Sequence, residues 1–334
     1  MRKIYVQFVV PAFDACAYYR MQQIMFASMT NPRLNFTGTH ARLGSLYYIG
    51  QDVLYTQRVM TEPLFRALRE FKEKTGVKIV IDYDDLMWES DEMPEYNRAL
   101  DRSIAPACKK AMSEWLPEVA DAVTCSTGYL AMRLSEVFRG GDVRVIPNCL
   151  DERWLFDFAG WDDGKILYAG SNTHYSNDKK LYGDWDIPLV NYVKQKGVKV
   201  MGSAPWFLEG AETHPGCPMY MYPVMLHELS RDCGFVVAPL TANNFNRSKS
   251  DLKYLETAAV GKIALVSGFD GSPYRGAHPL QKIRENASIG EIAKTVENCK
   301  EHYEEILEFQ YNYLSSRWLS ANMYRYEELF ESIM

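Results

Sequence analysis

The residues best placed to do chemistry in this 334-residue chain lie between Arg247 and Ser267, in RSKSDLKYLETAAVGKIALVS. Three cations, Arg247, Lys249 and Lys253, stand beside the start of a helix. Asn246, Ser248 or Ser250 can cap it, and Asp251 suits its positive end. Leu252, Leu255, Ala258 and Ala259 fall at helical spacing, Gly261 ends the helix, and IALVS reads as an inner strand. A helix N-terminus flanked by cations is a site for an anion, and a diphosphate suits it. Solvated lysines on an ordinary amphipathic helix would give the same local pattern.

Three further clusters follow strands, where open α/β sheets bind ligands. In IDYDDLMW (81–88), Asp82, Asp84 and Asp85 could supply a general base or hold a divalent cation; a helix cap with solvated acids is the plainer reading. The loop PAFDACAYYR (11–20) offers Asp14, Tyr18, Tyr19 and Arg20, but no GxGxxG, which disfavours a dinucleotide enzyme. In AGSNTHYSNDKKLYGDW (169–185), Gly170 and Ser171 allow close approach of a phosphate, with Lys179 or Lys180 in reach. His174 could donate to a phosphate or a sugar hydroxyl, although a single histidine in a polar loop is more often merely exposed. The six histidines show no zinc spacing, and the chain has neither a P-loop nor a GxSxG elbow.

The elements that must position these residues alternate in type. Strands at 4–10, 52–57, 77–85, 122–127 and 143–148 are separated by helices at 14–29, 62–76, 101–118 and 128–138, with short strands over 34–49. The pattern restarts with strands at 165–171, 198–203 and 235–240 and helices at 187–196 and 223–232. Such alternation predicts an α/β protein with two mostly parallel sheets. The expected division is 1–155 and 156–312, each Rossmann-like, with 313–334 as a terminal helix packing back on the first half. Helical patterning continues through 289–312 and beyond.

A net charge of −6 argues against a strongly basic nucleic-acid binder, leaving only local patches such as Arg33/Arg42 and Arg66/Arg69/Lys72/Lys74. Seven cysteines without CxxC spacing read as reduced thiols, which implies cytoplasmic residence. No apolar run approaches the length of a membrane span. The 22 tyrosines suit a sugar or base site, and equally a core.

Taken together, the two halves, the acids at 81–88, the Gly170 loop and the late K-Y-L-E-x-x-A-x-G-K-x-x-L-V-S segment resemble a GT-B glycosyltransferase. The resemblance implies a hexosyl- or pentosyltransferase that uses a nucleotide-diphosphate sugar, with a UDP-sugar favoured, and leaves room for a divalent cation. It assigns Glu256 to the donor ribose, and Arg247, Lys249, Lys253, Gly170 and Ser171 to the diphosphate. Asp84, Asp85 or Asp14 would be the catalytic base, with Tyr18, Tyr19 and Arg20 on the acceptor side. Two positions depart from the retaining pattern: Ser248 stands where a glutamate is usual, and Ile263 where proline is. The D-Y-D-D-L-x-W and ACAYYRMQQ strings are similar to glycosyltransferases of tailed bacteriophages, which would make 5-hydroxymethylcytosine in phage DNA an acceptor. The alternatives are a GT-A-like transferase with a metal on Asp82 and Asp84, and an inactive nucleotide-binding interaction protein.

Overall fold

The computed structural model describes residues 2–10, 14–29, 31–40, 46, 48–89, 92, 94–97, 101–157 and 160–334. Arg42, and parts of the 11–20 and 34–49 stretches, lie outside the described residues, as do 158–159 just beyond the expected division.

The first half alternates β1 (Ile4–Val10), the helical pieces α1 (Ala15–Ala17) and α2 (Gln23–Ser28), β2 (Leu34–His40), β3 (Val53–Gln57), α3 (Glu62–Thr75), β4 (Lys78–Tyr83), α4 (Ala105–Val119), β5 (Ala122–Cys125), α5 (Gly128–Val137) and β6 (Val143–Val145). Its six strands pair in parallel in the order β2-β1-β3-β4-β5-β6. Strands β3 and β4 are buried almost throughout, because parallel strands covered on both faces must be apolar on both. Gly76, at φ 72°, ends α3 in the left-handed conformation that suits glycine.

The second half runs β7 (Lys165–Gly170), α6 (Ile187–Lys196), β8 (Val198–Gly202), β9 (Glu212–His214), α7 (Tyr222–Ser230), β10 (Cys233–Ala238), α8 (Asn244–Ser248), α9 (Leu252–Ala259), β11 (Ile263–Gly268) and β12 (Lys282–Arg284). These six strands are also parallel, ordered β12-β11-β10-β7-β8-β9. The three-residue β9 and β12 were not anticipated, since so short a strand carries no periodicity. The expected helix that Gly261 ends is α9, but none of Asn246, Ser248 and Ser250 caps it: Asp251 holds the N-cap position, and the extended Lys249 (ψ 159°) closes a separate helix, α8, before it. The helix expected over 289–312 is two, α10 (Ile289–Glu301) and α11 (Tyr303–Ser315), which meet at His302.

The chain then returns to the first half as α12 (Leu319–Asn322) and α13 (Tyr324–Ile333). Leu319, Met323, Tyr326, Leu329 and Phe330 bury against Ile4, Val6, Phe8 and Tyr55. The Phe330 ring meets Phe36 and Tyr55 edge-on, with centroids 5.8 and 6.0 Å away. Leu150 and Trp318, one at each crossing between the halves, form an isolated parallel bridge. No described helix is long and apolar enough to cross a membrane.

Candidate functional site

Contacts join the two halves beyond the carboxyl ends of their strands: Lys249 meets Asp85, Tyr96 meets Asp184, Thr127 meets the Ser248 carbonyl, and Tyr19, in the turn before α2, meets Glu256 on α9. Asp84 and Asp85 follow β4. Arg58 follows β3 with φ 53°, a left-handed conformation that costs a non-glycine residue about 1–2 kcal/mol. That strained backbone aims the guanidinium at Asp84, with Nε–Oδ1 2.7 Å and Nη2–Oδ2 2.8 Å, while Nη1 lies 3.5 Å from Asp14. Burial alone would raise the Asp84 pKa, but Arg58 outweighs it and holds the carboxyl below its ordinary value. Asp85 behaves oppositely. Burial raises it, the Asp84 charge adds to that, and Lys249 and Arg58 offset only part. Lys249 comes from the second half, with Nζ 3.8 Å from Asp85 Oδ1, and packs 4.9 Å from the centre of the Phe245 ring. Two adjacent carboxyls are thus biased in opposite directions, one toward the charged form and one toward the protonated form.

Beside them is a dyad that the sequence did not disclose. Asp184 is buried and pairs with His174 Nδ1 at 2.7 Å. It also accepts from Tyr96 of the first half (2.5 Å), Asn246 Nδ2 (2.5 Å) and the Thr241 amide (3.2 Å). Burial would raise its pKa, and the His174 contact, with Tyr96, brings it below the usual carboxylate value. Asp184 fixes the His174 ring, which lies close enough to Asp85 to help hold its charge.

Glu256 is buried on α9, and its carboxylate is fully engaged. Tyr19 donates to Oε1 at 2.6 Å from across the cleft, while Tyr222 (3.1 Å) and Lys253 (2.8 Å) donate to Oε2. Lys253 also donates to Tyr222 Oη at 2.8 Å. Burial would lower the Lys253 pKa, but Glu256 raises it well above the usual lysine range. The ammonium is therefore committed to Glu256 and Tyr222. Trp154 stacks obliquely on Tyr19 and Tyr222, with centroids 5.8 Å from each, and its Nε1 donates to Tyr18 at 3.3 Å.

The remaining sequence candidates fall in several places. Arg20 does not face the cleft. It is 1% exposed, bidentate to Asp82 at 3.0 and 2.7 Å, and bonded to the Ile146 carbonyl at 2.6 Å and Asn148 Oδ1 at 3.1 Å. Its place on the acceptor side is thus corrected to an internal tie between strand ends. Asp82 also accepts from Gln57, Tyr55 and Thr124, which leaves no oxygen for a metal and corrects the Asp82/Asp84 cation reading. No group of three or more metal-ligating side chains occurs among the described residues. Asp14 caps α1 through the Ala17 amide at 2.9 Å and lines a cavity of about 520 Å³ with Phe8, Val10, Met25, Met219 and Tyr220. Gly170 ends β7, where an added Cβ would lie 2.2 Å from the buried Tyr168 hydroxyl, so the position admits no side chain. Ser171 caps the turn over Asn172–His174. Arg247 donates to the Asp270 carbonyl at 3.0 Å and to Asn244 at 2.8 Å.

No family model matches the chain, and no curated protein matches it. Solved structures do match. Sucrose-phosphate synthase from Thermosynechococcus elongatus superposes with a TM-score of 0.68 at 12% identity, covering 99% of both chains. The fold is GT-B. A trehalose-6-phosphate protein from E. coli bound with UDP-2-fluoro glucose gives 0.60 at 8% identity over 99% of both chains. TarM gives 0.55 at 9% identity, covering 84% of this chain and 54% of its own. At these identities the likeness establishes the two-sheet GT-B architecture.

Proposed function

We propose that the chain transfers a sugar from a nucleotide-diphosphate sugar, a UDP-sugar by preference, to a hydroxyl acceptor. The observation that carries this reading is the pairing across the cleft: Asp85, a carboxyl suited to taking a proton, faces Lys249 in the extended link between α8 and α9. Support also comes from the GT-B likeness to proteins whose structures hold UDP or a UDP-sugar analogue, S. aureus MnaA (TM-score 0.50) among them. In this reading residues 156–312 bind the donor and 1–155 the acceptor.

As the bond between the sugar and the diphosphate breaks, negative charge builds on the leaving oxygen. Lys249, Arg247 and the unpaired amides at the start of α9 would meet it. Gly170 and Ser171 would let the diphosphate approach the β7 loop, and Glu256, held by Lys253 and Tyr222, would take the ribose hydroxyls in place of Tyr19. The acceptor oxygen would lose its proton to Asp85 if the reaction inverts, or to the leaving phosphate if it retains; Asp84 and Asp14 stand beside Asp85 as the other acids. Tyr18, Tyr19 and the apolar cavity beside Asp14 would hold the acceptor.

Thermal-shift measurements with a panel of nucleotide sugars test the reading: at least one should raise the midpoint, and no shift with any would overturn it. Glu256→Ala should weaken donor binding, whereas Arg247→Ala should lower turnover more than affinity. The acceptor assay should include 5-hydroxymethylcytosine DNA, the finer expectation raised by the sequence.

A further inference from the structure

Between the start of α5 and the loop after β11, the two halves enclose a second cavity of about 460 Å³. Four cations line it: Arg247, Lys249, Arg275 and Arg317. The carboxylate in its wall, Asp251, is already held by Arg317 at 2.5 Å and by the Tyr313 hydroxyl. The cavity therefore carries a surplus of positive charge. The start of α5 adds more, since the first-turn amides of a helix lack partners within it. Thr127 caps that helix through the Leu130 amide at 3.2 Å and spans the cleft to the Ser248 carbonyl at 2.9 Å.

An independent observation comes from Ser126, the residue before the cap. It is 4% exposed and lines the cavity, yet its Oγ has no hydrogen-bond partner among the described residues. A buried hydroxyl left idle costs stability, which a bound acceptor group would recover. Cations, helix amides and hydroxyls are all donors, so the complement they call for is rich in acceptors and negatively charged. A tetrahedral oxyanion fits that description.

We propose that this cavity binds a phosphate group, with Ser126 and the α5 amides on one side and Arg275 and Arg247 on the other. The cavity stands whether or not the donor reading does. The same chemistry could belong to a phosphorylated acceptor or to the diphosphate of the donor, and the experiment separates the two.

Calorimetric titration of the full chain with inorganic phosphate should show binding that weakens about tenfold in Ser126→Ala and in Arg275→Gln. Ser126→Ala deletes a hydroxyl that has no hydrogen-bond partner among the described residues, so its melting temperature should hold or rise; lost affinity is then not lost folding. Equal affinity in wild type and Ser126→Ala, or no binding at millimolar phosphate, would overturn the proposal. Repeating the titration with saturating UDP assigns the source. Undiminished phosphate binding places the phosphate on a second molecule, the acceptor. Displacement by UDP, with UDP itself weakened by Ser126→Ala, places it on the donor. A chain that binds phosphate but not UDP keeps this cavity and loses the donor reading.

Discussion

Asp84 and Asp85 are neighbours in sequence whose different partners give them different chemistry. If Asp85 is the base, Asp85→Asn should cut turnover roughly 100- to 10,000-fold while donor binding persists. Its raised pKa also fixes a sign. The base is lost on protonation, so wild-type turnover should fall with decreasing pH through a value above the ~4 of an ordinary aspartate. A pH–rate profile flat across that region would count against Asp85. Asp184 bears on stability rather than turnover, and its shift is the opposite one. Its pKa is depressed in the fold, so its stabilising effect is present above the unfolded value and is lost as pH falls toward the folded one. Urea midpoints of wild type and Asp184→Asn should therefore converge below about pH 4 and differ at neutrality. The acids after β4 and the cations before α9 were legible because each sits at the junction of a buried strand or helix. Arg58 and Asp184 were not: Arg58 is 26 residues from Asp84, and Tyr96 is 88 from Asp184, so no local pattern joins them.

Between α1 and α2 the chain makes a π-helical turn, Tyr18–Gln22. Such turns widen the backbone locally and gather at functional sites. Here Tyr19 and Arg20, adjacent in sequence, are both buried, one reaching Glu256 in the second half and the other Asp82 in the first. No sequence period announces a π turn, which is why Arg20 was expected to face the acceptor. Two outcomes follow. Asp82→Asn should destabilise the chain by about 3–5 kcal/mol, measured by chemical denaturation, because it leaves the Arg20 charge buried without its partner. Tyr19→Phe removes the hydroxyl that occupies Glu256, so UDP affinity measured by calorimetry should rise about tenfold. Unchanged or weaker affinity would mean that Tyr19 does not compete with the donor.

At the scale of the whole molecule, strand–helix alternation and its restart near residue 165 were enough to foresee two parallel sheets and a returning tail. Which strand lies beside which, and which loops therefore share the cleft, depends on long-range pairing that alternation does not encode. The tail is structural: Phe330→Ala should cost about 3–5 kcal/mol and lower the melting temperature without touching the cleft.

The chain passes between the halves twice, near Leu150 and near Trp318, and the two passages are bonded together: the Leu150 amide donates to the Arg317 carbonyl at 3.0 Å, and the Leu319 amide to the Leu150 carbonyl at 2.8 Å. One strand of chain would act as a tether and permit swivelling in every direction. Two strands riveted side by side act as a door hinge, and restrict relative motion to swinging about the line they define. Residues near that line keep their spacing through the swing, while those farther away sweep through the largest arcs.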